Sequence, residues 1–432
     1  MHAFPGRLVL LLAAACTANA NEPPPAAGTE AAARSVESEN LDKIFKAMGE
    51  ADSSVLFDLY ASKDSIVHVL AAMAIERTRF NLDAASKDAT VCEDNLLRSR
   101  PDIALLCGRF RAGNLRLAGK WQTAHEAEAD LVRRYRGRAP ELDKRLDDMQ
   151  KLLARQAGVA QFSIDGPSAN VTFAFRRDAN DRDSLRPILA ARANGRDVDV
   201  LLDTGATDMV LDEGKARDLG VEPLDERGHV RGWLSHGVEI RRGVLDALQI
   251  GPITLRNVPV NIVPRHNALI GINLLAPLGV LRMTGKSLTI DANDTDAPAC
   301  ERDMQAGTDL AGHRLRLIPE FLVNDQPHRV MLDTGTSMFL IGTKAALDEV
   351  TRLRSGQLAM NDIGGYHPFA SAEAAKVKMQ IDRQRFNVYF IVYTESTFPF
   401  DIALGAGALK DMDYVLDFRR HRLCFPMHPN LH

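Results

Sequence analysis

Two short stretches of the sequence each place an aspartate between apolar residues, whereas a surface turn would have polar neighbours. Asp-Thr-Gly occurs at residues 203–205 and again at 333–335, and an apolar run stands before and after each copy. Asp and Gly commonly mark surface turns, which polar residues flank. The apolar flanks predict instead that a buried strand delivers each carboxylate to a tight loop, where glycine lets the backbone pass closely.

The two copies belong to a longer repeat. "ARANGRDVDVLLDTGATDMVL" corresponds without a gap to "FLVNDQPHRVMLDTGTSMFLI", so Asn194 matches Asn324 and Asp203 matches Asp333 at an offset of 130 residues. Further along, "ALIGINLL" corresponds to "IALGAGAL". A repeat of this length indicates duplicated structural units. We therefore expect two related β lobes in one chain, each carrying one Asp-Thr-Gly loop.

Two such loops, meeting at a pseudo-twofold axis, would bring Asp203 and Asp333 into contact with one water molecule. Carboxylates that close do not both ionise easily, so they share a proton and titrate as a coupled pair. The ionised member would take a proton from the water while the protonated member hydrogen-bonds the scissile carbonyl. This chemistry is general acid–base hydrolysis of an amide.

The residues around the two carboxylates are expected to support them. The hydroxyls of Thr204 and Thr334 would hydrogen-bond backbone across the pair and tie the loops together. A hydroxyl at Thr336 could hydrogen-bond Asp333 and favour its ionised form, so we predict that Asp333 carries the charge and Asp203 the proton. The supporting set is Thr204, Gly205, Ala206, Thr334, Gly335 and Thr336.

These motifs resemble those of aspartic peptidases of the retropepsin and pepsin clan. "LLDTGAT" is similar to the retropepsin form and "LDTGTS" to the second motif of pepsins, and a hydrophobic-hydrophobic-Gly element follows each. The resemblance covers roughly residues 165–427. It implies two β lobes with a cleft between them, the catalytic pair Asp203 and Asp333, and peptide substrates bound in extended form. Both lobes lie in one chain, so a catalytic dimer is not required.

The family also has a flap, a hairpin that closes over the substrate. Two segments, "HVRGWLSHGVEI" and "NDIGGYHPFASAEA", have the glycine-flanked aromatic residue that a mobile lid would use. Such an aromatic residue could instead simply pack on a neighbouring strand. The candidate flap and substrate-binding residues are Gly232, Trp233, Gly364, Gly365 and Tyr366.

Metal and cofactor chemistry has no sequence signal here. The histidines near the candidate flaps have neither HExxH nor paired spacing, so we expect no metal and no cofactor, and we interpret the histidines as rim residues. They are His229, His236 and His367.

The chain before the lobes has a different character. Apolar residues recur at three- and four-residue spacing over 41–157, which predicts a helical domain. "AGNLRLAGKWQTAHEAEADLV" resembles one tetratricopeptide-type helix pair, but a solenoid needs about three repeats, so a small helical bundle is the alternative. Short strand-like runs then predict a first lobe at 160–298 and a second at 299–432.

The N-terminus has the pattern of an exported protein. Residues 1–20 read as a signal peptide, with Arg7 before a short apolar run, and the polar stretch 21–40 as a disordered tether. Cys16 also fits a lipoprotein box, so a membrane anchor there is the alternative to simple periplasmic export. If Cys16 is removed with the signal peptide, four cysteines remain. They can form two disulfides in three ways, and the sequence-local choice joins Cys92 to Cys107 and Cys300 to Cys424.

The composition limits the classes of molecule that the protein is expected to bind. The net charge is −4 at pH 7 and no basic stripe is present, so we expect no nucleic acid partner. We expect a peptide or protein substrate and a protein partner on the helical domain.

The leading interpretation is an exported aspartic endopeptidase. The alternatives are a peptide-binding module with little or no catalysis, and a segment 21–155 that is a removable pro-segment.

Overall fold

The structure is a computed structural model, and it describes residues 27–155, 160–166, 170–175, 185–291, 300–347, 354–396 and 400–428. The predicted signal peptide and Cys16 lie outside these residues. The predicted tether at 21–40 differs from the structure, because the first helix begins at Ala27. The sequence after Ala27 is rich in alanine and glutamate, which have high helix propensity.

The N-terminal region is helical, as predicted. Asp52 and Asp64 cap two of its helices by accepting from backbone N–H groups one turn inside, and the disulfide Cys92–Cys107 joins two others. No helix in the described part of the chain is both long and apolar enough to cross a bilayer. The helices are α1 (Ala27–Gly49), α2 (Ser53–Tyr60), α3 (Ser65–Thr78), α4 (Leu82–Leu96), α5 (Pro101–Leu117), α6 (Trp121–Tyr135) and α7 (Pro140–Arg155).

The first lobe is a six-stranded barrel. Its ring runs β3-β4-β9-β5-β8-β7 and closes by pairing of β7 with β3, while β6 extends the sheet from β7. Its strands are β1 (Ser163–Asp165), β2 (Val171–Ala174), β3 (Ile188–Ala193), β4 (Arg196–Asp203), β5 (Met209–Asp212), β6 (Pro223–Val230), β7 (Val238–Ile250), β8 (Ile253–Val263), β9 (Leu269–Gly271), β10 (Val280–Met283) and β11 (Ser287–Asp291), with helices α8 (Glu213–Asp218) and α9 (Ile272–Leu275).

The second lobe closes in the same way. Its ring runs β15-β16-β21-β17-β20-β19 and returns to β15, while β18 extends the sheet from β19. Its strands are β12 (Arg302–Asp303), β13 (Ala306–Thr308), β14 (Leu315–Leu317), β15 (Glu320–Val323), β16 (Gln326–Asp333), β17 (Leu340–Gly342), β18 (Arg354–Asp362), β19 (Gly365–Ile381), β20 (Gln384–Tyr393), β21 (Ile402–Gly405), β22 (Tyr414–Asp417) and β23 (Arg422–Cys424).

The predicted duplication is visible at the turn that precedes each Asp-Thr-Gly strand. Asn194 and Asn324 both adopt a left-handed backbone, with φ of 47° and 49°. Each side chain then accepts a hydrogen bond at 3.0 Å from a long strand of its own lobe, from the N–H of Ala247 or of Lys378. Asparagine tolerates this conformation better than most residues. The same turn chemistry therefore sets the register of β4 and of β16.

A third sheet connects the lobes. Its order is β12-β23-β22-β10-β11-β2, and the join is the antiparallel pair β10–β22, which matches Val280 with Asp417. The disulfide Cys300–Cys424 fastens one end of it. Two barrels that share a continuous sheet hold their Asp-Thr-Gly strands at a fixed separation.

The helical domain is hydrogen-bonded to the loop of the hairpin β13–β14. The guanidinium of Arg77 is fully buried and donates to the carbonyls of Asp309 and Leu310 at 2.9 and 3.0 Å, and also to the carbonyl of Phe110. Arg116 donates to the next carbonyl in the hairpin loop, that of Ala311. These contacts make the helices an integral part of the structure that carries the second lobe.

Candidate active site

The two carboxylates stand at the ends of equivalent strands. Asp203 is the last residue of β4 and Asp333 the last of β16, and both strands are buried toward that end. Each aspartate pairs in parallel register with the glycine of a hydrophobic-hydrophobic-Gly strand, Gly271 in the first lobe and Gly405 in the second. The sequence elements that resemble the family therefore lie side by side in each lobe.

The two loops are tied together by their threonines, as the sequence predicts. Thr204 N–H donates to Thr334 Oγ1 at 3.1 Å, and Thr334 N–H donates to Thr204 Oγ1 at 3.0 Å. Each hydroxyl in turn donates to a carbonyl of the opposite strand, Thr204 to Leu332 at 2.9 Å and Thr334 to Leu202 at 2.7 Å. Both threonines are completely or almost completely buried. Four hydrogen bonds thus cross the pseudo-twofold axis.

Backbone amides hold the inner oxygen of each carboxyl group. Gly205 and Ala206 donate to Asp203 Oδ1 at 2.8 and 3.1 Å, and Gly335 donates to Asp333 Oδ1 at 3.1 Å. The loops approach so closely that a Cβ at Gly335 would lie 2.6 Å from Asp203 Oδ2. Glycine is therefore required at this position by the neighbouring carboxyl group as well as by the turn.

Burial raises the pKa of both carboxyl groups. For Asp203, burial followed by the negative charge of Asp333 raises the pKa well above its ordinary value. For Asp333, hydrogen bonds, chiefly from Trp233, and the charge of Arg316 oppose the rise. The surroundings of Asp333 therefore favour its charged form.

The donor that favours a charged Asp333 differs from the predicted one. Thr336 Oγ1 accepts from Met338 N–H at 3.4 Å, within its own loop. The outer oxygen of Asp333, Oδ2, instead receives the indole N–H of Trp233 at 3.2 Å. The donor to the outer oxygen of Asp333 is therefore an indole from the first lobe rather than the hydroxyl of Thr336.

The two candidate flaps meet over the dyad. Asp362, at the end of β18, accepts from Leu234 N–H at 2.8 Å, from Ser235 N–H at 3.0 Å and from Ser235 Oγ at 2.8 Å. A Cβ at Gly364 would collide with Ser235 Oγ, and one at Gly232 would lie 2.6 Å from Asp362 Oδ2. We call this contact the Asp362 clasp, and Gly232 and Gly364 are the two candidate flap glycines at which a side chain would disrupt it.

Other candidate flap residues have different surroundings. Gly365 forms the tight turn into β19 with φ of 123°, and Tyr366 beside it is 69% exposed. Tyr366 therefore does not contact the dyad. His367, predicted as a rim residue, lies 3.1 Å from Asp362 Oδ1 and 3.2 Å from Ser235 Oγ, so it belongs to the Asp362 clasp.

Sequence reasoning missed two charged residues at the site. Asp362 is separated from its flap partners by more than a hundred residues, and no motif marks it. Arg316, on β14, lies above the ring of Phe400, with 5.0 Å from its Cζ to the ring centroid, and burial lowers the pKa of its guanidinium to about 10. A lone arginine in a strand gives no signal before the hairpin that holds it is known.

Two closed barrels that each deliver one Asp-Thr-Gly loop to a threonine-bridged pair of aspartates define a bilobal fold of the aspartic protease type. Comparison with known proteins agrees. Residues 189–274, most of the first lobe, match the family model described as Aspartyl protease. The resemblance that the two motifs predict is confirmed, and family and fold together support a peptidase.

Individual relatives match only parts of the chain. An uncharacterized protein in the cobV 5' region of Sinorhizobium sp is 28% identical over 104 residues, which are 23% of this chain and 45% of the relative, so the chain spans less than half the relative's length. A retropepsin-like aspartic protease from Rickettsia conorii is 21% identical over 31% of this chain and 96% of its own, with a TM-score of 0.24. EIAV protease complexed with an inhibitor is 23% identical over 22% of this chain and 86% of its own, with a TM-score of 0.19.

Proposed function

We propose that this protein is an exported aspartic endopeptidase that hydrolyses peptide bonds with a water molecule activated by Asp203 and Asp333. The observation that carries the proposal is the close approach of the two Asp-Thr-Gly loops, which face the carboxyl groups of Asp203 and Asp333 toward each other and are held by four threonine hydrogen bonds. Such a pair offers a base and an acid at one point without a covalent intermediate.

The roles are assigned from the surroundings of Asp333, where the indole N–H of Trp233 and the charge of Arg316 favour the ionised form. Asp333, ionised, takes a proton from the attacking water, and Asp203, protonated, donates a hydrogen bond to the scissile carbonyl. Transfer of the Asp203 proton to the carbonyl oxygen completes a gem-diol. As its C–N bond breaks, Asp203 takes back a hydroxyl proton and Asp333 gives the proton from the water to the leaving amine. The amides that hold the inner oxygens keep both carboxyl groups in a fixed orientation, which lowers the reorganisation needed in the transition state.

The test is cleavage of a peptide library at several pH values, with and without pepstatin, by the wild-type chain and by Asp203→Asn. We expect cleavage by the wild type and none by the variant, because an amide at position 203 cannot supply the shared proton. Equal behaviour of the two proteins contradicts the proposal. Resistance to pepstatin alone does not, since the flap contacts could exclude that inhibitor.

A peptide-binding module is the second candidate, favoured by one observation. The flaps are fastened over the dyad by the Asp362 clasp, and a closed cleft of this kind could hold a peptide without rapid turnover. Under this alternative, Asp203→Asn leaves peptide affinity unchanged and the wild type shows no cleavage.

The helical domain is proposed to be retained and to carry a protein-binding surface. Loss of residues 27–155 would leave the carbonyls that Arg77 and Arg116 cover without their donors. This cost argues against a removable pro-segment. The intact mass of the mature protein decides the point, and it also reports on cleavage after residue 20 and on lipidation at Cys16.

A further inference from the structure

Each flap tip packs on the opposite lobe. Trp233, from the first-lobe flap, is 6% exposed and lies in an apolar cluster with second-lobe side chains. Ile363, from the second-lobe flap, packs against a first-lobe cluster that includes Val210, Ile240 and Leu269. We call the second-lobe part of this cluster the indole site. It includes Met331, Ile341, Tyr393, Phe400 and Ala403.

The indole site flanks the carboxylate of Asp333. Along β16, Leu332 belongs to the main core, while Met331 belongs to the cluster under Trp233. Met331 and Asp333 are two residues apart and therefore face the same side of the strand. The indole site therefore lies on the same side of β16 as the carboxyl group of Asp333, where a bound peptide would place the residues next to its scissile bond.

The indole also occupies the outer oxygen of the dyad. Asp333 Oδ1 is held by Gly335 N–H, so Oδ2 is the oxygen left to face the cleft, and Trp233 Nε1 donates to it at 3.2 Å. Water or a substrate that approaches Asp333 from the cleft meets the indole there. The Asp362 clasp holds the residues that follow Trp233, and so keeps the indole in place.

We propose that Trp233 is an intramolecular competitor of the substrate, and that a peptide binds by displacing the indole with an aromatic or large aliphatic side chain of its own. The inference rests on the proposed function, since it assigns the indole site to the substrate of that dyad. The closed molecule is then a self-capped state. Its population lowers the apparent affinity for peptides by the fraction of molecules that are uncapped.

The first test follows Trp233 itself. The chain has two tryptophans, so Trp121→Phe leaves Trp233 as the single indole fluorophore. In the full-length Asp203→Asn, Trp121→Phe protein, we titrate pepstatin and a fluorescently labelled peptide with a central Phe. We expect the Trp233 emission to shift to the red as binding proceeds, because the indole moves into water. Binding seen by peptide anisotropy without any shift overturns the inference.

The matched control is the Asp203→Asn, Trp233→Phe protein, in which Trp121 is the single fluorophore. Trp121 lies in the helical domain, 4.9 Å from the ring of Phe162, so its emission should not respond to the same ligands. A red shift in this protein as large as in the first also overturns the inference, because the signal would then report a global change.

The second test is kinetic and compares Trp233→Ala, Trp233→Phe and the wild type. We expect KM to fall about tenfold in Trp233→Ala, because the competing side chain is gone, with a smaller fall in Trp233→Phe, which keeps an aromatic ring but not the N–H. A lower kcat with unchanged KM and a moved acid limb of the pH profile overturns the inference and makes Trp233 a positioning residue.

The failure of the proposed function has a different signature. If the wild type binds the labelled peptide but cleaves none, the endopeptidase proposal fails while the emission test still decides the role of Trp233. If neither the wild type nor Trp233→Ala binds any peptide, the inference itself fails.

Discussion

Replacement of Thr334 by valine should weaken the contact between the lobes. Apart from the equivalent change at Thr204, we expect no other exchange of a hydroxyl for a methyl group to weaken this contact as much. The side chain keeps its shape, but two buried hydrogen bonds disappear, one from Thr204 N–H at 3.1 Å and one to the Leu202 carbonyl at 2.7 Å. A buried polar group that loses its partner costs about 1–3 kcal/mol. With two such groups, we expect Thr334→Val to lower the free energy of unfolding by about 3 kcal/mol.

The assay is urea unfolding of the full chain followed by tryptophan fluorescence, with Thr334→Ser as the matched control. Serine keeps the hydroxyl, so it should stay within about 1 kcal/mol of the wild type. Thr204→Val breaks the other two bonds of the set, and its cost should be similar. If Thr334→Val is as stable as Thr334→Ser, the hydroxyl bonds do not hold the lobes together and the reasoning is refuted.

Three further perturbations test separate parts of the structure. The pKa of Asp203 is raised in the folded state, so the free energy of unfolding of the wild type falls as the pH rises above the ordinary pKa of an aspartate. Asp203→Asn should therefore have a higher melting temperature than the wild type at neutral pH, and this difference should vanish in acid. The pKa of Asp362 is lowered in spite of burial, because Leu234 N–H and the other donors favour the charged form. The Asp362 clasp is therefore stable above the ordinary pKa of an aspartate and is lost as the pH falls through the lowered pKa of Asp362. Asp362→Asn should speed amide exchange at Leu234 already at neutral pH. Arg77→Met should expose the hairpin loop around Leu310 to limited proteolysis, because its carbonyls lose their buried donor; unchanged cleavage would show that the helices do not hold the hairpin.

The aspartate pair was predictable because its signal is local and occurs twice. Asp203 and Asp333 each stand between apolar runs in matching repeats, and the threonines inside the motifs point to one another once the loops meet. The two disulfides also follow the sequence-local pairing. In each case the residues that interact either lie in one repeated motif or are the nearest of their kind along the chain.

The remaining contacts could not be predicted, because they join residues that no pattern relates. Asp362 and Ser235 are 127 residues apart in the sequence. Both lie in the candidate flap segments, but nothing in either segment indicates that the two flaps contact each other. Trp233 was recognisable as a candidate flap residue, but its hydrogen bond to Asp333 depends on how far the flap reaches across the cleft. The Thr336 hydroxyl had a competing local acceptor role toward its own loop, which sequence alone does not rank against the carboxylate.

Divergence of the two lobes places the two carboxyl groups of a duplicated site in different surroundings. The threonine bonds are equivalent on both sides, with four lengths between 2.7 and 3.1 Å, so they cannot decide which carboxyl group ionises. The inequality comes from residues outside the repeat: the indole of Trp233 and the guanidinium of Arg316 both favour a charged Asp333. One is carried by a flap and the other by the hairpin that the helical domain grips. Under the proposed function, departure of the indole on peptide binding would leave the charge of Arg316 as the group that favours an ionised Asp333. The helical domain holds the hairpin that carries Arg316, so we propose that it supports the site through that hairpin.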